Sequence, residues 1–203
     1  MDTAVSLVVT ADLSATRAVA ETLFPEAALH ALAPPEWRPR VPFEGELFAI
    51  LGAQPRGACI GLVVPVVLTA AAPSVPGRSS VSSPPVAALV AVDDHVNLAL
   101  WSPLCGRWPA GMDRTFPALS GIYQPARVRS RAGARVYFTG VVAGVANAER
   151  LTPFEGQVLR DQRYGAVADT LVPAAIIAAH YGLTLAACGV PWGDDGDGGR
   201  GKT

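Results

Sequence analysis

What most restricts this chain is a succession of short runs dominated by Val, Ile, Leu and Ala: AVSLVVT (4–10), ELFAIL (46–51), ACIGLVVPVVLT (58–69), VAALVAV (86–92), RVYFTGVV (135–142) and LTLAACGV (183–190). A strand with one wet face alternates apolar and polar residues, whereas a strand covered on both faces has no need to. These runs lack clean alternation, so they predict central strands roofed by helices. Helix signals fall between them. Ser14 can N-cap ATRAVAETLF. Thr152, Pro153 and Glu155 form a T-P-x-E start, with Pro at the first helical position and the spacing of a capping box, and predict a helix through about Arg163. VPAAIIAAHYG (172–182) stops at Gly182, the residue type that most easily takes a left-handed position after a helix, and feeds directly into the last strand. Strands alternating with helices predict the α/β class in three layers.

At 203 residues the chain suits one such domain, able to bury roughly 70% of its unfolded surface. We assign residues 1–192 to it and 193–203, rich in Gly and Asp, to a disordered tail whose acidic spacing does not match a calcium loop. The segment AAAPSVPGRSSVSSPP (70–85), with four prolines and five serines, is expected as a long surface loop. Sixteen basic against 17 acidic residues, with no basic cluster interleaved with aromatics, argue against a nucleic-acid partner. No apolar run approaches the roughly 18 residues that cross a bilayer, so no membrane association is expected. Asp2 rather than a basic residue follows Met1, which makes the cytoplasm the expected location. Three cysteines, Cys59, Cys105 and Cys188, show no CxxC spacing and cannot pair evenly. They are expected as buried small hydrophobes, with no metal or cofactor implied.

Chemistry-bearing residues gather where VAALVAV runs into DDHVNL: Asp93, Asp94, His95 and Asn97. Two readings stay open. Side chains at a strand end can satisfy backbone groups, and an Asp/His pair in a cleft can supply acid–base chemistry near neutral pH.

Five blocks, in order, carry a resemblance: VVLTAAAPSV (66–75), ALVAVDDHVNL (88–98), FPALSGIY (116–123), TPFEGQVLR (152–160) and VPAAIIAAHYGLTL (172–185). They resemble VLTNAAGGL, DLVVVDDHINL, FPDMSDAYD, ETPAExRxLR and VPEVIVARHCGLRV of the trimeric purine nucleoside phosphorylase and methylthioadenosine phosphorylase family, over about residues 60 to 190. Before them, VSLVV fits the first strand and VPFEGELFAILG (41–52) a following pair of strands. The resemblance implies a twisted mixed sheet, partly closed into a barrel and flanked by helices. It also implies a small-molecule pocket at one end of the sheet and a homo-oligomer, a trimer. In that family the DHINL stretch is framework beside the pocket.

The departures bear on function. Phosphorolysis needs donors for phosphate, an oriented ribose and a group that stabilises the departing purine. The family's glycine-bearing phosphate turn stands here as TADLSATR (10–17), without the glycines; Ser14 is the hydroxyl it could offer, and helix capping explains that serine equally well. Arg56 remains of a cationic segment whose histidine and tyrosine are gone. NAAGG has become Ala70, Ala71, Ala72, Pro73 and Ser74. Arg150 and Leu151 stand where Phe-Glu would read the base, Asp169 and Thr170 where Met-Ser would meet sugar and phosphate, and Trp192 where a Thr would close the pocket. The leading expectation is an enzyme that keeps the family cavity but not phosphorolysis and performs a cyclisation, elimination or isomerisation in specialised, natural-product biosynthesis. His95, Asp94 and Asp169 are its candidate catalytic groups. Thr170, Trp192, Arg150, Leu151, Ala70 and Ala71 are its candidate substrate-binding groups. Two alternatives remain. One is a working phosphorylase or hydrolase, with Arg150 on phosphate and Glu149 or Glu155 on the base. The other is a non-catalytic assembly paralogue whose cavity is filled by Trp101, Trp108 or Trp192.

Overall fold

Seven strands form one mixed sheet in the computed structural model, which describes residues 4–11, 14–32, 41–69, 89–105 and 116–191. The elements in chain order are β1 (Val5–Ala11), α1 (Ser14–Leu23), β2 (Ala28–Leu32), α2 (Val41–Gly52), β3 (Cys59–Leu68), β4 (Leu89–Asn97), α3 (Pro125–Ala132), β5 (Val136–Gly144), α4 (Pro153–Asp161), β6 (Ala166–Ala168), α5 (Leu171–His180) and β7 (Thr184–Pro191). The strand order is β2-β1-β3-β6-β5-β4-β7, and β7 pairs back onto β3 in parallel from Cys59↔Thr184 to Val66↔Pro191. Strands β3, β6, β5, β4 and β7 therefore close a ring, with β1 and β2 as an open flap. The ring closes because β3 is long: along one edge it meets β1 over Cys59–Val63 and then β6 at Val67–Leu68, while its other edge holds β7. This is the mixed, partly barrel-like sheet that the family resemblance implies.

Helices cover the sheet on several sides. Ala20 and Leu23 of α1 and Val128 and Ala132 of α3 pack with Val63, Ala91 and Cys188. Leu47 and Leu51 of α2 and Ala175, Ile177 and Ala178 of α5 pack with Val64, Val92, Val142 and Ala187. Leu159 of α4 covers Ala143 and Val167. A fully buried side chain of this size contributes roughly 1.5–3 kcal/mol. Eight of the ten residues of α5 are buried, which makes it the central helix of the core.

Two expectations are corrected. VPFEGELFAILG is one helix, α2, instead of a pair of strands. Leu47 and Leu51, four residues apart, are completely buried, whereas Gly45, Glu46 and Ala49 between and before them are exposed. That is a helical period, which a short apolar run conceals. The helix lies so close to α5 that a Cβ on Gly52 would stand 2.9 Å from the Tyr181 ring, and Phe48 meets that ring edge-on at 6.4 Å. Of the cysteines, Cys59 and Cys188 are buried but Cys105 is exposed, because it follows the turn after β4 instead of lying within a strand. Burial pushes the Cys188 thiol up to about 12. No helix among the described residues is long and apolar enough to cross a membrane. The expected loop 70–85 and the tail from 193 lie outside the described residues.

Candidate functional site

Strands β4, β5 and β6 run parallel, and their last residues stand in one row: Asn97 pairs with Gly144, and Gly144 with Ala168. Carboxyl ends of parallel strands are where open α/β sheets place ligands. Gly144 is what lets α5 reach this row. A Cβ there would stand 2.3 Å from Cγ2 of Val172, in the first turn of α5. Thr170, immediately before α5, is thereby held beyond the end of β6.

Asn97 and Thr170 each carry a sealed polar atom with no partner among the described residues. Thr170 is 5% exposed, and its backbone sits in the right-handed helical region, so its side chain makes no capping bond and Oγ1 is unpaired. Asn97 donates from Nδ2 to the Trp101 carbonyl at 2.7 Å, which leaves its Oδ1 unpaired. An unmet buried acceptor costs about 1–3 kcal/mol, so such atoms mark places where something else binds. Asp169, between the end of β6 and Thr170, is half-buried.

The polar end of β4 is built around a bulge between Val92 and Asp94. Asp94 is exposed, and its Oδ1 accepts the backbone N–H of His95 at 2.8 Å. Its carboxylate thus binds main chain. The His95 ring instead meets Tyr123, with Nδ1 2.7 Å from the phenol oxygen and the rings edge-on at 5.6 Å. Burial holds the His95 pKa below the ordinary imidazole value, against a smaller upward pull from Asp94. Tyr123, 7% exposed, is pushed above the usual phenol value by burial and then by the Asp94 charge. Sequence reasoning missed Tyr123 as a partner of His95. It closes the FPALSGIY block, but 28 positions separate it from the histidine and no local pattern links them.

Beside the row is a groove of about 480 Å³, lined by Leu98 and Ala99 after β4, Val145 and Asn147 after β5, and Leu151 and Phe154 at the start of α4. Arg150 and Glu155 also border it. Glu155 is committed to the helix start: Oε2 accepts the Thr152 backbone N–H at 2.7 Å, while the Glu155 N–H donates to the Thr152 hydroxyl at 3.2 Å. The Thr152 backbone N–H, and after it the Thr152 hydroxyl donating to the same oxygen, hold the Glu155 carboxyl below the usual carboxylate range. The expected capping box is therefore present, although α4 ends at Asp161 and Arg163 takes the left-handed position after it, φ 61°. The groove's rim is apolar and open to solvent, with Phe154 77%, Leu98 43% and Val158 42% exposed.

Of the residues singled out from sequence, the structure brings His95, Asp94, Asp169 and Thr170 to the ends of β4 and β6, and Arg150 and Leu151 to the groove. Ala70, Ala71, Trp192, Trp108 and the Glu149 side chain lie outside the described residues. Trp101 is half-buried, and its carbonyl serves Asn97. Arg56 is elsewhere: its side chain crowds Gly182, and the Gly57 N–H donates to the Gly182 carbonyl at 2.9 Å, beyond the end of α5. Thr170 begins that helix, so a helix of ten residues, about 15 Å, separates the two. Among the described residues no group of three or more His, Cys, Asp or Glu could hold a metal ion.

The fold is similar to that of purine nucleoside phosphorylase from Schistosoma mansoni. Against that enzyme complexed with a novel monocyclic inhibitor the TM-score is 0.51 at 20% identity, covering 66% of this chain and 50% of that one. Against the same enzyme in a complex with BCX-34 it is 0.51 at 18% identity, covering 70% and 54%. The chain thus spans about half the length of these enzymes. No family model and no curated protein sequence matches it.

Proposed function

We propose, with a purine nucleoside phosphorylase fold as the premise, that this chain is a repurposed enzyme acting on a small molecule without phosphorolysis. The reaction class we assign is a cyclisation, elimination or isomerisation in specialised biosynthesis. The observation that carries the reading is the placement of Arg56. A phosphate beside Thr170 would lie a helix length from the one cation that the sequence retains from the family's Arg-bearing segment, and close to the Asp169 carboxylate. A dianion there would be desolvated far from that guanidinium and beside a carboxylate.

The arrangement favours a largely neutral substrate. Its apolar part would lie in the groove against Leu98, Leu151 and Phe154, and its polar part would meet His95, Asn97 and Thr170. An apolar wall that holds a chain folded brings reacting ends together, and that positioning alone supplies much of the acceleration of a ring closure. The exposed apolar rim, with Leu100 90% exposed at φ 53° beside it, supports a homo-oligomer, for which a cytoplasmic trimer is our reading. Residues 1–192 would form the folded unit.

The test is incubation with adenosine, inosine, guanosine and methylthioadenosine, with and without inorganic phosphate, while following free base and ribose 1-phosphate. No phosphate-dependent release of base is expected. Release at the rate of an ordinary phosphorylase would overturn the proposal and return Arg150 and Glu155 to the roles of phosphate ligand and base reader. Sedimentation reads the oligomer separately.

A further inference from the structure

We infer that Tyr123 is a positioning residue that holds His95 as a fixed hydrogen-bond donor, its Nε2–H presented to a neutral hydroxyl or amide of the ligand beside Asn97. The argument starts from protons. Tyr123 Oη has one hydrogen-bond partner among the described residues, Nδ1 of His95. A neutral imidazole carries a single N–H and a phenol a single O–H. Were the ring proton on Nδ1, it would donate to Oη and the phenol proton would point at no acceptor among the described residues. An unmet buried donor is costly. The phenol therefore donates to Nδ1, and the imidazole proton resides on Nε2. Burial keeps both groups uncharged, since it lowers the histidine and raises the tyrosine.

The support around this pair is rigid. Gln124 N–H donates to the Leu185 carbonyl and Leu185 N–H to the Ile122 carbonyl, both at 2.7 Å, so the backbone on either side of Tyr123 is fastened to β7. Asp94 makes no hydrogen bond to the ring; its Oδ1 takes the His95 main-chain N–H. Nε2 has no protein partner among the described residues, and it is not one of the sealed unpaired atoms, so the half-buried ring leaves it reachable.

The ligand class follows from the neighbour. His95 and Asn97 pair with Val142 and Gly144 without a break in register, so they project from the same face of β4, about 7 Å apart along the strand. One offers an N–H; the other holds the unpaired carbonyl Oδ1, which is closed to solvent in the free chain and is met by a ligand that displaces its cover. A hydroxyl or amide can accept from the first and donate to the second. A carboxylate has no proton for Oδ1, and any anion, phosphate included, would also meet the repulsion of the exposed carboxylates of Asp93 and Asp94. The ligand class rests on the reading of the β4 end as a ligand site; the tautomer does not.

The experiment is ¹⁵N correlation spectroscopy of the full chain with labelled histidine, at a pH well above the ordinary imidazole value, on the wild type and on Tyr123→Phe. In the wild type the His95 proton is expected on Nε2, with Nδ1 at the shift of a hydrogen-bonded acceptor. In Tyr123→Phe the Nδ1 shift moves to that of a free lone pair, and the share of the minor tautomer rises about fivefold, the worth of one net hydrogen bond. Amide spectra confirm that the variant is folded, and Tyr123→Trp serves as a second lesion that also removes the phenol. A wild-type proton on Nδ1, or a Tyr123→Phe spectrum unchanged at His95, overturns the positioning role. Titration with inorganic phosphate is expected to leave the His95 nitrogens unmoved; a saturable shift overturns the neutral-ligand assignment alone. Neither result depends on the nucleoside assay, so the two proposals fail separately.

Discussion

Helices α4 and α5 are nearly equal in length and are held in opposite ways. The first is fastened at its ends. Thr152 and Glu155 cap each other's backbone, Pro153 starts the helix, and only Leu159 is buried. The second has no side-chain cap at Thr170 and is secured by burial on nearly every side. Both close with the same backbone knot. In α5, Leu183 N–H returns to Ala178 and Gly182 N–H to Ala179; in α4, Tyr164 N–H returns to Leu159 and Arg163 N–H to Arg160. The left-handed position is filled by Gly182 at φ 68° in α5 and by Arg163 at φ 61° in α4. One helix is made by its surroundings and the other by its own sequence.

Five substitutions can break or sharpen that contrast, all read by chemical denaturation unless stated. Ile177→Ala in α5 should cost about 2–5 kcal/mol, because the site is fully buried and a cavity remains; a cost under 1 kcal/mol would mean that burial does not hold this helix. Exchange at the two left-handed positions should have opposite signs. Gly182→Ala should lose about 1–2 kcal/mol, and Arg163→Gly should gain up to about 1 kcal/mol. Thr152→Ala should lose about 1 kcal/mol and fray only the start of α4 by hydrogen exchange. The same substitution in α5, Thr170→Ala, removes no cap and should not destabilise.

The smallest effects are in pH dependence. The His95 pKa is lower folded than unfolded, so the unfolded chain takes up a proton first. Stability should fall as pH drops through the ordinary imidazole value near 6.5 toward the folded one. His95→Asn should flatten that step. Glu155 is likewise lowered, so its contribution is present above the ordinary carboxyl value and is lost as pH falls through the folded value; Thr152→Ala should remove this second, more acidic step.

The same contrast explains what could be read in advance. Helix α4 was legible because Thr152, Pro153 and Glu155 lie within four residues and act on one another. Strand β7, helix α5 and the glycine that ends it were legible because a run buried on all sides is apolar throughout. Strand β6 was not, since three residues, Ala166–Ala168, become a strand only by pairing with β3 and β5, which are distant in sequence. Strand β2 is a short edge strand with little pattern. Helix α3 carries only two buried residues, Val128 and Ala132, among its arginines, although their spacing of four was a visible clue. In the site, Asp94, His95 and Asn97 were legible as a polar strand end. The partner of the histidine and the unpaired state of Asn97 Oδ1 and Thr170 Oγ1 were not, because both depend on what the folded chain brings near.

Gly144 carries a consequence for how this molecule can change. By admitting Val172 against the sheet, it welds the first turn of the most deeply embedded helix to the strand that ends beside Asn97. Thr170 therefore cannot shift toward a new ligand without moving a rod embedded in the core, and any drift in specificity there would be registered as a change in melting temperature. The groove on the α4 side, with its exposed Phe154 and Val158, has no such tether, and new substrates can be accommodated there at little expense to the scaffold.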